Sequence, residues 1–146
     1  MSHSYAQNHI HLVFSTKDRL KLIPATTQPK LWAYIAGICK HHGMLAFAVA
    51  GMADHAHILF RLPPTITLAK AVSTIKANSS RWMSEQGIPF KWQKGYAGLS
   101  VSSSNIPTVI RYIDNQEFHH RKRTFEHEFP TLKKHGIPFD PKHVFD

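Results

Sequence analysis

Two stretches of the chain alternate apolar and polar residues strictly enough to be strands with one face on a core. In residues 8–15, Ile10, Leu12 and Phe14 fall on one side and His9, His11 and Val13 on the other. In residues 55–62, Ala56, Ile58, Phe60 and Leu62 oppose His55, His57, Leu59 and Arg61. Between them, residues 28–42 place Leu31, Ile35 and Ile38 at helical spacing, with Thr27 as an N-cap and Gly43 at the end. Residues 44–50, with Phe47 and Val49, predict another strand, joined to the 55–62 strand by a hairpin turn over 51–54.

Pro63 and Pro64 stop that strand. Thr67 then caps a second helix whose stripe is Leu68, Val72, Ile75, Ser79 and Trp82, ended by Gly87 and Pro89, with Lys70, Lys76 and Arg81 off the stripe. Residues 90–94 read as a loop and 95–102, with Tyr96 and two glycines, as a fourth strand. Ser104 and Asn105 are N-cap residues for a helix that opens with Ile106-Pro107 and runs to Arg121. Val109, Ile113 and Phe118 on it can face the body of the protein, while Tyr112, Gln116 and His120, spaced i, i+4, i+8, form a separate polar stripe. A last helix over 124–134 and a tail over 136–146, able to lie on a neighbouring subunit, complete the prediction.

The order β-α-β-β-α-β-α predicts an α+β fold: a ferredoxin-like, RRM-like antiparallel sheet with helices on one face, plus a C-terminal helix and tail. In that pattern the first and third strands are central neighbours, and the face bearing His55 and His57 is expected to be open to a ligand or partner.

A chain of 146 residues, 42% hydrophobic, suits one domain spanning 1–146. It has no apolar run of membrane length and no secretory signal pattern, so a cytoplasmic protein without membrane association is expected. Cys39 is the only cysteine and lies in an apolar helical pattern, which excludes an intrachain disulfide and argues for a core residue. The balance of 18 Lys and Arg against 9 Asp and Glu, net +9 with pI near 9.9, changes the picture more. A basic surface suits a polyanion, and nucleic acid is the first partner to consider.

Two imidazoles one residue apart on a strand project from the same side and can share one metal ion. The pairs His55/His57 and His9/His11 both meet this condition, and spacing alone does not choose between them.

At this point the chain resembles the HUH endonuclease superfamily, and within it the single-tyrosine transposases of small insertion sequences that move as single-stranded DNA. The resemblance runs nearly end to end. It is carried by His11-Leu12-Val13-Phe14-Ser15-Thr16-Lys17-Asp18-Arg19, Asp54-His55-Ala56-His57, Trp92-Gln93-Lys94-Gly95-Tyr96 through Ser100-Val101-Ser102, and Tyr112-Ile113-Asp114-Asn115-Gln116-Glu117-Phe118-His119-His120. It implies a metal pair at His55 and His57, a third ligand at Gln116, and Tyr112 as a catalytic nucleophile, which demotes His9/His11 and Tyr96; His120 is a further candidate. It also implies a Mg²⁺ or Mn²⁺ cofactor, cleavage and rejoining through a 5′-phosphotyrosine, single-stranded DNA with hairpin ends as substrate, and a homodimer able to share its sites. Lys17, Arg19, Lys70, Lys76, Arg81, Tyr96 and Arg111 are the candidate DNA contacts. Two other classes fit parts of the pattern: a non-catalytic single-strand-binding module using Tyr96 and Trp92 for stacking, and a metal-free nuclease using paired histidines as acid and base.

Overall fold

The structure, a computed structural model, describes residues 5–116. Its elements are β1 (His9–Ser15), α1 (Gln28–His41), β2 (Leu45–Met52), β3 (His55–Arg61), α2 (Leu68–Glu85), β4 (Ala97–Val101) and α3 (Ile106–Asp114). The four strands form one antiparallel sheet in the order β2-β3-β1-β4, so β1 and β3 are central, as the element order predicts. Phe118, His120, the expected last helix over 124–134 and the tail over 136–146 lie outside the described residues.

Strand alternation divides the sheet into two faces. Ile10, Leu12 and Phe14 of β1 and Ala56, Ile58 and Phe60 of β3 are buried against Leu31, Ile35 and Ile38 of α1 and Val72, Ile75 and Met83 of α2. This apolar layer is the main core, and each fully buried aliphatic or aromatic side chain in it is worth about 1.5–3 kcal/mol. Cys39 is also buried there, and burial pushes its thiol pKa up to about 12, so it remains a neutral core residue. Ser79 is polar but belongs to the packing: the Trp92 indole N–H donates to its hydroxyl at 2.9 Å, and Trp92 meets Phe14 edge-on with ring centroids 4.5 Å apart.

The helix ends correct part of the sequence reading. Thr67 caps α2 as expected, its hydroxyl accepting from the Lys70 amide at 3.1 Å. Thr27 makes no side-chain cap and is already in the right-handed helical region, as is Asn105 at the start of α3. A side-chain cap needs the extended backbone that Thr67 has and these two lack. The last strand starts at Ala97 rather than Gly95.

The larger correction concerns the second face of the sheet. His9, His11, Val13 and Ser15 of β1 share it with His55, His57 and Leu59 of β3, and it is not open. A 3-10 turn, Ser103–Asn105, follows β4 closely and delivers α3 onto this face. There Ile113 is fully buried with Ala48 and Leu59, flanked by Ile106, Val109 and Ile110. A bulge between Ala46 and Ala48 gives β2 one extra residue and turns both Phe47 and Ala48 to this cluster. The apolar stripe of α3 is what closes the face, and its polar stripe comes with it.

The β2–β3 hairpin is packed closely at Gly51. A Cβ there would lie 2.2 Å from the His55 carbonyl oxygen and 2.9 Å from both Ala56 Cα and the Trp32 ring, whereas one at Gly37 in α1 would meet nothing within 4 Å. Urea unfolding is expected to find Gly51→Ala destabilised by about 2 kcal/mol or more. Gly37→Ala should be stabilised by about 0.5–1 kcal/mol, because an exposed helical glycine costs entropy. Equal stability of the two variants would contradict this packing.

Candidate active site

Four polar side chains from three elements meet under α3, all nearly excluded from solvent: His11 is 3% exposed, His55 and His57 are 0%, and Gln116 is 1%. Such groups are tolerated in a protein interior only when they find partners. His55 Nδ1 lies 2.8 Å from Asp54 Oδ1, and its Nε2 lies 3.1 Å from Gln116 Oε1. His57 Nδ1 lies 2.9 Å from His11 Nε2. The half-buried Tyr112 ring meets His57 edge-on at 5.7 Å between centroids and His11 at 6.1 Å. Tyr112 on the last turn of α3 and Gln116 just past its end are thus both set over the imidazoles of the same chain.

Donor bookkeeping at His55 tests whether a cation fits. A carboxylate only accepts, so the proton of a neutral His55 belongs on Nδ1, facing Asp54, and Nε2 carries a lone pair. The Gln116 amide is oriented by its Nε2, which donates to the Tyr112 carbonyl at 3.3 Å, so the atom it turns to His55 is an oxygen. Two lone-pair atoms 3.1 Å apart call for positive charge between or beside them: an added proton on His55 or a metal ion. A carboxylate-imidazole pair that directs the Nε2 lone pair away from the carboxylate is the usual support for a bound metal. The residues present therefore fit a divalent cation, with two imidazoles and an amide oxygen as donors. Among the described residues no group of three His, Cys, Asp or Glu side chains forms a ligand set.

The two histidine pairs, equivalent by spacing, separate here. His9 is two residues farther along β1, packs edge-on against Phe47 at 5.6 Å, and its Nδ1 has no hydrogen-bond partner among the described residues. His11 joins the cluster. The sequence puts Asp54 in a turn and in the Asp54-His55-Ala56-His57 motif without a role of its own, and sets His11 aside with His9; the signal for Asp54 was its position directly before His55, next to the ring it supports.

Residues 4–116 match the family model described as "Transposase IS200 like". The chain belongs to the IS200-like transposase family. Relatives are the transposases for insertion sequence element IS200 of Salmonella typhimurium and Salmonella typhi, each 23% identical over 124 residues, covering 80% of this chain and 81% of the relative. Two solved structures share the fold. A Deinococcus radiodurans protein assigned as a transposase has 23% identity and a TM-score of 0.62, covering 80% of this chain and 96% of its own. A REP-associated tyrosine transposase bound to a REP hairpin has 15% identity and a TM-score of 0.61, covering 82% and 73% respectively. No helix among the described residues of this transposase is long and apolar enough to cross a membrane.

The candidate DNA contacts of the transposase divide by position. Lys17 is exposed and Arg19 half-buried in a tight turn where Asp18 and Arg19 adopt positive φ of 56° and 54°. This turn adjoins the His55 end of the sheet, since the Thr16 amide donates to the Asp54 carbonyl at 2.9 Å. Arg111 is exposed beside Tyr112, and Lys70 is exposed on the first turn of α2. Arg81 is exposed and engaged along its own helix, donating to Asn78 at 2.8 Å with Glu85 at 3.8 Å.

Lys76 and Tyr96 are set apart from these by their surroundings. The Lys76 ammonium donates to the carbonyls of Gln93, Lys94 and Gly95 at 2.7, 3.1 and 2.9 Å and lies 5.2 Å from the Phe14 ring centroid. It holds the loop before β4. Tyr96 is half-buried beside it, packed on the α1/α2 core and thus across the sheet from His55 and His57.

Burial lowers the Lys76 pKa from 10.5 to about 8, and the three carbonyls hold its charged form against that cost at neutral pH. Between pH 8 and 10.5 the unfolded chain keeps this proton while the fold releases it, so the cost of burying the charge is fully present below pH 8 and fades as pH rises to 10.5. Thermal midpoints of the wild type, taken relative to Lys76→Met, are expected to climb across that window. A difference that stays constant would contradict the buried lysine.

Proposed function

We propose that this transposase cleaves and rejoins single-stranded DNA through Tyr112, with Mg²⁺ or Mn²⁺ held by His55, His57 and Gln116, and so mobilises an insertion sequence. The observation that carries the reading is the Tyr112 ring, on the last turn of α3, with its centroid 5.7 Å from that of His57, while Gln116 just past that helix reaches His55. A phenol of pKa about 10 is a weak nucleophile at neutral pH, and a phosphodiester repels attack by its own charge. When bound, the cation supplies Lewis-acid relief of that charge at the non-bridging oxygens.

The chain's own residues do the rest. Tyr112 Oη forms a bond to phosphorus as the bond from phosphorus to the 3′-oxygen breaks; the phenol gives up its proton and the departing 3′-oxygen gains one. The protein is left joined to a 5′-phosphate. Attack by another 3′-hydroxyl reverses the step and rejoins strands without ATP, because one phosphodiester is exchanged for another. Gln116 couples the two halves of the site: its Oε1, turned to His55, would be a ligand to the cation, and its Nε2 braces the Tyr112 backbone. Lys17, Arg19 and Arg111 would supply phosphate contacts around it, and Lys70, on the α2 side of the sheet, a contact farther along a DNA strand.

Single-stranded DNA with hairpin ends is the proposed substrate, supported by the hairpin bound to the REP-associated tyrosine transposase of the same fold. The working unit is proposed to be a homodimer, as the family resemblance implies. The expectation of shared sites came from the family resemblance, the separate polar stripe of the last helix and an open histidine face; α3 of the same chain covers that face, which favours one complete site per subunit. A stacking module would need aromatic residues on an open sheet, whereas Trp92 is 6% exposed and Tyr96 packs on the core.

The test is a denaturing gel with labelled single-stranded copies of the DNA flanking the gene. Wild-type protein with Mn²⁺ is expected to give a covalent adduct. Tyr112→Phe, which loses only a hydroxyl, should fold, retain salt-sensitive DNA binding and give no detectable adduct. An adduct from the Phe variant would remove Tyr112 from this role.

A further inference from the structure

His11 is the one buried histidine of the cluster that the proposed reaction does not use. Register pairs His11 with Leu59 and Val13 with His57, so the two imidazoles are diagonal neighbours on adjacent central strands. At that spacing long side chains still meet, and here they do, Nε2 of His11 lying 2.9 Å from Nδ1 of His57. His55 is held in the same way, its Nδ1 2.8 Å from Asp54. Each member of the proposed ligand pair therefore has its Nδ1 engaged by another side chain, which leaves Nε2 as the nitrogen for a metal.

The two supports differ in one respect. Asp54 accepts in either form of the ring, but two imidazoles can share a proton in two directions. If His11 donates, the proton of a neutral His57 sits on Nε2 and that nitrogen is closed to a cation. If His57 donates, its Nε2 carries a lone pair and His11 keeps its own proton on Nδ1. We propose that His11 is the positioning residue of His57: its Nε2 accepts the His57 Nδ1–H, fixing the ring orientation and the tautomer that turns a lone pair toward the cation site. The proposal rests on the reading of His55, His57 and Gln116 as cation ligands. The ring packing adds to it, since His11 also meets the Tyr112 ring edge-on at 6.1 Å between centroids.

The experiment has two readouts. Long-range ¹⁵N–¹H correlation spectra of the metal-free wild type report the His57 tautomer directly. The Nδ1–H form is expected, and an Nε2–H form overturns the proposal whichever variants fold. Mn²⁺ affinity, measured by calorimetry, is then compared in His11→Leu, which removes the acceptor, and His11→Gln, whose amide oxygen restores one. His11→Leu should bind Mn²⁺ about 10- to 100-fold more weakly, the usual effect of losing a hydrogen-bond partner of a ligating histidine. His11→Gln should recover most of that affinity.

A merely structural role would lower the thermal midpoint of the variants and leave affinity per folded molecule unmoved. A folded His11→Leu within twofold of wild type overturns the proposal, and so does a His11→Gln no better than His11→Leu. Wild-type protein that binds no Mn²⁺ defeats the cation reading instead, and the tautomer spectrum still decides the direction of the hydrogen bond.

Discussion

Everything chemical in this chain depends on one packing contact: the seating of α3 on the face of the sheet opposite the main core. Ile113 sinks between Ala48 and Leu59, and that contact sets the rotation of the helix about its axis. Once the rotation is set, the residue about 100° round the helix from Ile113 and the one just past the helix's last turn are also carried to the sheet. Those residues are Tyr112 and Gln116, and beneath them lie His57, His11 and His55. The apolar contact is a positioning device, and the polar stripe rides on it.

The cluster so formed is a poor choice for stability alone. An aliphatic side chain buried at any of these positions would contribute about 1.5–3 kcal/mol, while each imidazole or amide must first be matched with a partner to avoid a penalty. The matching found here is specific in a way that suggests chemistry: Asp54 and His11 each engage an Nδ1, and an amide oxygen is presented to an Nε2. Buried polar networks that run against the local rule of an apolar interior concentrate at functional sites. Lys76 is the contrasting case, a buried charge spent on holding the Gln93–Gly95 carbonyls and hence the entry to β4.

The fold was largely legible in the sequence because its strands alternate cleanly. Ile10, Leu12 and Phe14 against His9, His11 and Val13 is a period of two that only one register can bury, and the structure has that register. The membership of the site was partly legible: family resemblance pointed to His55, His57, Tyr112 and Gln116, and the structure brings them together. What pattern could not reveal was direction in space. Helical spacing separated Ile113 from Tyr112 and Gln116 into two stripes, and it did not disclose that both would meet the same sheet. Nor could spacing tell His11 from His9, since their difference lies in cross-strand register, and Lys76 looked like any off-stripe lysine until the loop before β4 was folded over it.

The central claim is that His55, His57 and Gln116 form a metal centre beside Tyr112 within one chain. Anomalous diffraction from crystals soaked in Mn²⁺ tests it most directly. The account predicts a manganese peak enclosed by these three side chains and next to the Tyr112 ring. A peak at His9 or elsewhere, with this cluster empty at full manganese loading, would contradict it.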